Sequence, residues 1–143
     1  MKLTNRFVLM FLCVCGIALS IASLHSHYAT SATEYCDLNQ MFNCDLVNRS
    51  KFSEVFGIPV ALLGLVGYLV LLGLTFLRDR ALEILRLVLS CAGLAFALYL
   101  AYIEEHVLQT WCLLCIGSLI AIAGITLLSA IVVVRPGGKQ AVP

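Results

Sequence analysis

The chain has 143 residues, of which 62% are hydrophobic and only 12% are charged. Soluble domains are usually about 45–50% apolar and about 25% charged, so the composition argues against a soluble domain and indicates an integral membrane protein. The net charge of +1 gives no sign of nucleic-acid binding. Seven cysteines in so short a chain indicate a redox or a metal function.

The first apolar run, residues 7–24, follows Lys2 and Arg6 and predicts a first membrane helix. Ala22 and Ser23 are small residues near its end, which leaves a cleaved signal peptide as the alternative. A run of 18 residues is longer than the usual ~7–15 of a signal core, so we expect the helix to be retained. Either interpretation exports the segment that follows.

Residues 25–54 form a polar segment that contains Cys36 and Cys44. A loop of this length is too long for a tight connection, and such loops are usually functional or disordered. We interpret His25 and His27, at its start, as solvent-exposed loop residues.

Three further apolar runs follow, and the sequence predicts an all-α integral membrane protein, a four-transmembrane-helix bundle with an extracytoplasmic cysteine loop between helices 1 and 2. Residues 1–143 then make a single membrane domain. Cys13, Cys15 and Cys91 lie inside helices, and we interpret them as structural packing residues. The predicted helices cover residues 7–24, 55–77, 81–103 and 110–134.

The most informative stretch is Trp111-Cys112-Leu113-Leu114-Cys115, a C-x-x-C motif that opens the last apolar run. Residues i and i+3 of a helix are neighbours, about 5–6 Å apart at Cβ, which is close to the reach of a disulfide. The first turn of a helix also carries positive partial charge, which favours the reactive thiolate. The motif therefore predicts a redox dithiol; the simpler alternative is two small apolar residues packed in a helix.

The distribution of Lys and Arg predicts that both termini are cytoplasmic. This orientation puts both cysteine pairs, Cys36/Cys44 and Cys112/Cys115, on the extracytoplasmic side, where disulfides persist. Outside lie only Arg49 and Lys51, and inside lie Lys2, Arg6, Arg78, Arg80, Arg86, Arg135 and Lys139.

Two cysteine pairs on one face can relay electrons by disulfide exchange. Because Cys36 has 22 residues before Pro59 and Cys44 has 14, we expect Cys36 to meet the soluble partner and Cys44 to exchange with Cys112. A four-thiolate zinc site with His25, His27 or His106 nearby is the structural rival. Seven residues separate Cys36 from Cys44, which is unlike the close spacing of zinc ligands, and we expect no metal.

Several short elements occur together in this chain. They are Cys36-Asp37-Leu38, Cys44, Ser50, Phe56-Gly57-Ile58-Pro59 and Cys112-Leu113-Leu114-Cys115. In this combination the chain resembles the vitamin K epoxide reductase family, in its bacterial form, over residues 7–134. The resemblance implies a four-helix bundle around a quinone pocket, with the cysteine loop as a cap.

The resemblance also implies roles. Cys112 and Cys115 would be the active-site pair, with Cys115 adjacent to the quinone, and Cys36 and Cys44 would be the loop shuttle pair. Ubiquinone or menaquinone would be the electron acceptor. The residues implied at the quinone besides Cys115 are Ser50, Ser53 and Phe56.

Two positions depart from the animal members of the family. Leu119 stands where they carry a Tyr, and Ser53 where they carry an Asn, which argues against vitamin K epoxide as the physiological substrate. Some bacterial members carry a fused thioredoxin-like domain; here the chain ends at Pro143, so we expect a separate thioredoxin-like exported partner. The expected location is the cell inner membrane.

Two other functions stay open at this stage. One is a non-enzymatic membrane scaffold whose exported loop is held by a structural disulfide. The other is the second bacterial family of quinone-linked disulfide generators, which places its C-x-x-C near the first exported loop; the position of Cys112 on the last helix argues against it.

Overall fold

The computed structural model describes residues 2–31 and 37–135. Within these ranges the fold is a bundle of long helices with a small cap at one end. The cap consists of the short elements between residues 37 and 59. The elements are α1 (Leu3–Tyr28), α2 (Cys44–Asn48), a 3₁₀ turn (Lys51–Ser53), β1 (Glu54–Val55), β2 (Ile58–Pro59), α3 (Val60–Phe76), α4 (Arg80–Ile103), a π-helical turn (Glu104–Leu108) and α5 (Leu113–Val134).

Three of the described helices are long and apolar enough to cross a membrane: α1, α5, and α4 together with its π-helical turn. Helix α3 is equally apolar but has only 17 residues, about 25 Å at 1.5 Å per residue, against a hydrocarbon core of about 30 Å. Three of the four predicted membrane helices thus have the length and composition of membrane spans, and the four-helix count stays a prediction.

The second predicted helix begins five residues later than expected. Residues 55–59, which the sequence analysis assigned to it, belong to an antiparallel pair in which β1 faces β2. The turn between the two strands uses Phe56 at φ 54° and Gly57 at φ 76°, left-handed values that no α-helix accommodates. Helix α3 therefore starts only after this turn, with Pro59 as its N-cap, a position where a proline is tolerated because the first N–H groups of a helix have no intrahelical acceptor.

The connection between α4 and α5 also differs from the prediction, at both of its ends. Glu104, Glu105 and His106, expected to form a short link, continue α4 as a π-helical turn that ends where Gln109 takes φ 51°. The last helix starts at Leu113 and not at residue 110, because Trp111 is engaged in a backbone bridge to the loop.

The core of the bundle lies where α1 packs against α3 and α5, and α4 packs against α5. Gly16 of α1 lets the ring of Tyr68 lie directly against the α1 backbone, since a Cβ at this position would overlap that ring. From there the Tyr68 hydroxyl reaches α5, 2.8 Å from both the carbonyl oxygen and the Oγ of Ser118.

Arginines tie the bundle together at the end opposite the cap. Arg6 donates to the carbonyl of Phe76, the last residue of α3, at 3.2 Å. Arg80 donates to the carbonyl of Val133, in the last turn of α5, at 2.6 Å. Basic side chains are favourable at helix carboxyl ends, where the carbonyl groups lack partners, so this end of the bundle is positively charged.

Candidate active site

The two cysteines of the C-x-x-C motif take up different positions at the start of α5. Cys112 is the N-cap, with extended backbone angles of φ −102° and ψ 116°, and Cys115 is the third residue of the helix. The two thiols lie next to each other. Both are free thiols, so the pair is in its reduced form.

A backbone bridge brings the loop cysteine to this motif. Trp111 N–H donates to the carbonyl of Met41 at 2.7 Å, and Asn43 N–H donates to the carbonyl of Trp111 at 3.1 Å. Asn43 also caps α2, because its side-chain oxygen accepts from the N–H of Leu46 at 2.8 Å. The loop backbone is thereby paired with the residue before Cys112, and α2 starts at Cys44.

Cys44 and Cys112 are completely buried in one small cluster with Val47, and Cys115 packs against its side. Cys44 is disulfide-bonded, in contrast to the free Cys112 and Cys115. Cys36, the other predicted loop cysteine, lies outside the described residues. Three of the four predicted redox cysteines therefore meet at one place.

The surroundings of Cys112 favour its thiolate. The hydrogen bond from the Cys115 thiol lowers the pKa of Cys112 below its ordinary value, although burial acts in the opposite direction. The side-chain amide of Asn48 also donates toward the Cys112 sulfur, at 3.9 Å. Because the thiolate is the form that attacks disulfides, Cys112 is suited to thiol–disulfide exchange.

On its other side, Cys115 borders a cavity of about 440 Å³ between the helices and the cap. The walls come from α1, α3, α4 and α5 and are mostly apolar, and Trp111 and Phe52 add aromatic surface near the cap. Small-molecule sites commonly have about 300–1,000 Å³, apolar walls and a few placed polar groups. An apolar ring compound carrying a few polar atoms suits such a space.

The predicted quinone-binding residues are placed differently. Ser50 and Ser53 border the cavity; the Ser50 hydroxyl donates to the Val47 carbonyl at 2.8 Å, and the Ser53 hydroxyl donates to the Ser50 carbonyl at 2.7 Å. Phe56 is fully exposed at the tip of the β1–β2 turn and does not border the cavity; Phe52 does. Leu119, where the animal members of the family carry a Tyr, is part of the wall.

Two side chains at the cavity were not predicted to matter. Glu104 is only 2% exposed; its carboxylate accepts a hydrogen bond from the N–H of Cys112 at 3.1 Å and lies next to the Cys115 thiol. His27 belongs to α1 and is mostly buried, with its Nε2 3.2 Å from the carboxylate of Glu54, so its interpretation as an exposed loop residue was wrong. The sequence signal available for Glu104 was that it is an acidic residue near the C-x-x-C motif.

The remaining cysteines lie away from the site. Cys13 is completely buried in the apolar core, Cys15 is half-buried, and Cys91 is exposed on the outside of α4. The predicted packing role fits Cys13 best, whereas Cys91 has little protein around it.

The sequence model of the vitamin K epoxide reductase family matches residues 7–130. The chain is 33% identical over 135 residues to vitamin K epoxide reductase complex subunit 1 of Rattus norvegicus, covering 82% of this chain and 84% of that protein. The same subunit from Mus musculus is 31% identical over the same shares. The matched family and the three long apolar helices make the protein a membrane protein, and the chain belongs to the vitamin K epoxide reductase family.

Proposed function

We propose that this chain is a quinone-linked thiol–disulfide oxidoreductase that supports disulfide bond formation. It takes electrons from a reduced thioredoxin-like exported protein through Cys36 and Cys44, passes them to Cys112 and Cys115, and delivers them to a membrane quinone. One observation carries the proposal: Cys112 is buried against the disulfide-bonded Cys44, while Cys115 borders an apolar cavity.

The exchange between the two pairs is supported by the shared burial of Cys44 and Cys112. After the partner has reduced the loop disulfide, the Cys44 thiolate attacks the Cys112 sulfur of the oxidised helix pair, and Cys115 leaves with the electron pair. The loop disulfide then re-forms and releases Cys112. The observed state, with Cys44 oxidised and Cys112 and Cys115 reduced, is the state that follows this exchange.

The electron acceptor is argued from the cavity. A quinone has an apolar ring and two carbonyl oxygens, and the cavity offers apolar walls with a few polar groups near Cys115, among them Ser50 and Ser53. Leu119 and Ser53 both border this space, so the two departures from the animal pattern bear directly on which quinone fits.

The orientation is argued from charge. Arg6 and Arg80 bind carbonyl groups at the end of the bundle opposite Cys44 and Cys112. Basic residues are retained on the cytoplasmic side of inner membranes. We therefore assign the arginine end to the cytoplasm, with both termini, and the cysteine end to the extracytoplasmic side, where a separate exported partner is accessible.

The test uses purified protein, a reduced thioredoxin-like protein and a soluble quinone analogue. We expect quinone to be consumed in an amount equal to the disulfides formed in the partner, and the Cys91→Ala control to behave like the wild type. Cys115→Ala should lose activity and accumulate a Cys44–Cys112 mixed disulfide. This bond forms when the Cys112 thiolate attacks the loop disulfide at Cys44 and Cys36 leaves as a thiolate, and no Cys115 thiol is present to attack Cys112 and release Cys44. Peptide mapping by mass spectrometry detects it.

Two results would contradict the proposal. A wild-type protein whose thiols stay oxidised and which consumes no quinone would support a structural scaffold. A mixed disulfide between Cys36 and Cys112 in Cys115→Ala would reverse the order of the two loop cysteines.

A further inference from the structure

Glu104 is a buried carboxyl group at the junction of α4, the cysteine pair and the cavity. It is 2% exposed, and it belongs to the π-helical turn that extends α4. Burying a carboxyl group is costly unless it is hydrogen-bonded, and such groups are frequent at functional sites. The bonds that Glu104 makes therefore indicate what it does.

The Glu104 carboxyl group lies against the C-x-x-C motif. Its Oε2 accepts from the N–H of Cys112 at 3.1 Å. The Cys115 thiol lies next to the same carboxyl group and next to the Cys112 sulfur. Transfer of the single S–H proton of Cys115 to the carboxylate would leave Cys115 as a thiolate.

Reduction of a quinone needs protons as well as electrons. The Cys112 thiolate and the Cys115 thiol lose two electrons and one proton and form an S–S bond, while the quinone takes two electrons and two protons. One of these protons is the one released by Cys115, and the other comes from water. A group that touches both the Cys115 thiol and the cavity supplies a direct path for the first.

We propose that Glu104 is a catalytic residue that takes the proton of the Cys115 thiol and gives it to the substrate in the cavity. The inference rests on the proposed function. Glu104 borders the cavity together with Cys115, so both ends of the transfer are adjacent to it. Among the described lining residues the other titratable side chains are His27 and Tyr68, and neither bonds to Cys115 in the structure.

The competing explanation is structural, because Glu104 also satisfies the backbone N–H at the start of α5. Glu104→Gln separates the two roles. A glutamine has nearly the same shape, and its carbonyl oxygen still accepts from the N–H of Cys112, but it neither takes up nor releases a proton at neutral pH. Glu105→Gln is the matched control, since Glu105 is the adjacent residue, is 61% exposed and contacts only His106 among the described ion pairs.

The experiment is a single turnover. Purified wild type, Glu104→Gln and Glu105→Gln are reduced, separated from reductant and mixed with a soluble quinone, and quinone absorbance is followed. We expect Glu104→Gln to react about 10²–10⁴-fold more slowly, the usual contribution of a general acid or base, with an unchanged melting temperature. Glu105→Gln should match the wild type.

The outcomes separate this inference from the proposed function. A wild-type protein that does not reduce the quinone contradicts the proposed function itself. An active wild type with an equally fast Glu104→Gln overturns only the role of Glu104. If Glu104→Gln does not fold, Glu104→Asp is measured instead: it keeps a carboxyl group but holds it farther from the Cys115 thiol, so a slower single turnover at an unchanged melting temperature is expected, and a wild-type rate overturns the role.

Discussion

Cys112 and Cys13 have the same exposure, zero, but lie in regions of opposite character. Cys13 packs among apolar side chains of α1, α3 and α5, among them Leu9 and Ile125, with the buried Arg86 guanidinium nearby and no second thiol beside it among the described residues. Cys112 lies against Cys44, a second thiol, an amide and a carboxylate. Burial alone therefore says little about the reactivity of a cysteine in this protein. The groups that surround the buried sulfur determine that reactivity.

The largest effect is expected when the same atom is removed from each region. Cys112→Ala should reduce quinone reduction by several orders of magnitude, because the thiol that accepts electrons from Cys44 is gone. Cys13→Ala makes an identical chemical change at identical burial and should leave the turnover intact. Steady-state quinone reduction by both purified variants measures the difference, and a well-folded Cys13→Ala protein as inactive as Cys112→Ala would contradict the comparison.

The core region is expected to respond through stability. Gly16→Ala places a methyl group into the ring of Tyr68 and should destabilise the bundle by about 1–3 kcal/mol, the usual cost of overpacking. Gly73→Ala, on an exposed face of α3 with open space around it, should be neutral or slightly stabilising because alanine favours helices. Thermal unfolding in detergent compares the two; equal melting temperatures would show that α1 and α3 separate easily.

Much of the fold follows from the sequence because long apolar runs have few alternatives in a membrane protein. The cap was predicted less well, because its boundaries depend on contacts between distant residues. Trp111 pairs with the loop backbone around Met41, and this bridge delays the start of α5 beyond what hydrophobicity indicates. The turn at Phe56 and Gly57 shortens α3 in the same way.

Candidate site residues could be named from the sequence where the residue type itself carries the chemistry, as with cysteine. They could not be named where the role depends on which way a helix turns the side chain. The cysteines were singled out from their number and positions, whereas Ser50 and Ser53 entered only through the family resemblance. Glu104 and Glu105 are adjacent and identical in type, yet only Glu104 is turned inward, and the π-helical turn that orients them leaves no clear mark in the sequence. His27 is buried only because Glu54 and Asn48, far along the chain, fold back onto it.

The smallest effect is expected at Ser50, whose hydroxyl borders the cavity. Its proton is donated to the carbonyl of Val47 at 2.8 Å, so the hydroxyl offers the cavity lone pairs and no hydrogen. Removing a donor that stabilises a developing charge costs about 10²–10³-fold, but a hydroxyl already engaged elsewhere does not supply that stabilisation. We therefore expect Ser50→Ala to lose at most about tenfold in catalytic efficiency with quinone, the equivalent of one ordinary hydrogen bond.

Ser90→Ala is the matched control for this change. Ser90 makes the same kind of bond, donating to the carbonyl three residues earlier at 2.9 Å, and it does not border the cavity. Both variants should lose similar stability, about 0.5–1.5 kcal/mol, and only Ser50→Ala should change the KM for quinone. If Ser50→Ala instead turns over quinone about a hundredfold more slowly at saturation, the loss expected for a missing donor, while Ser90→Ala is unaffected, the Ser50 hydroxyl must turn from Val47 to the substrate during the reaction.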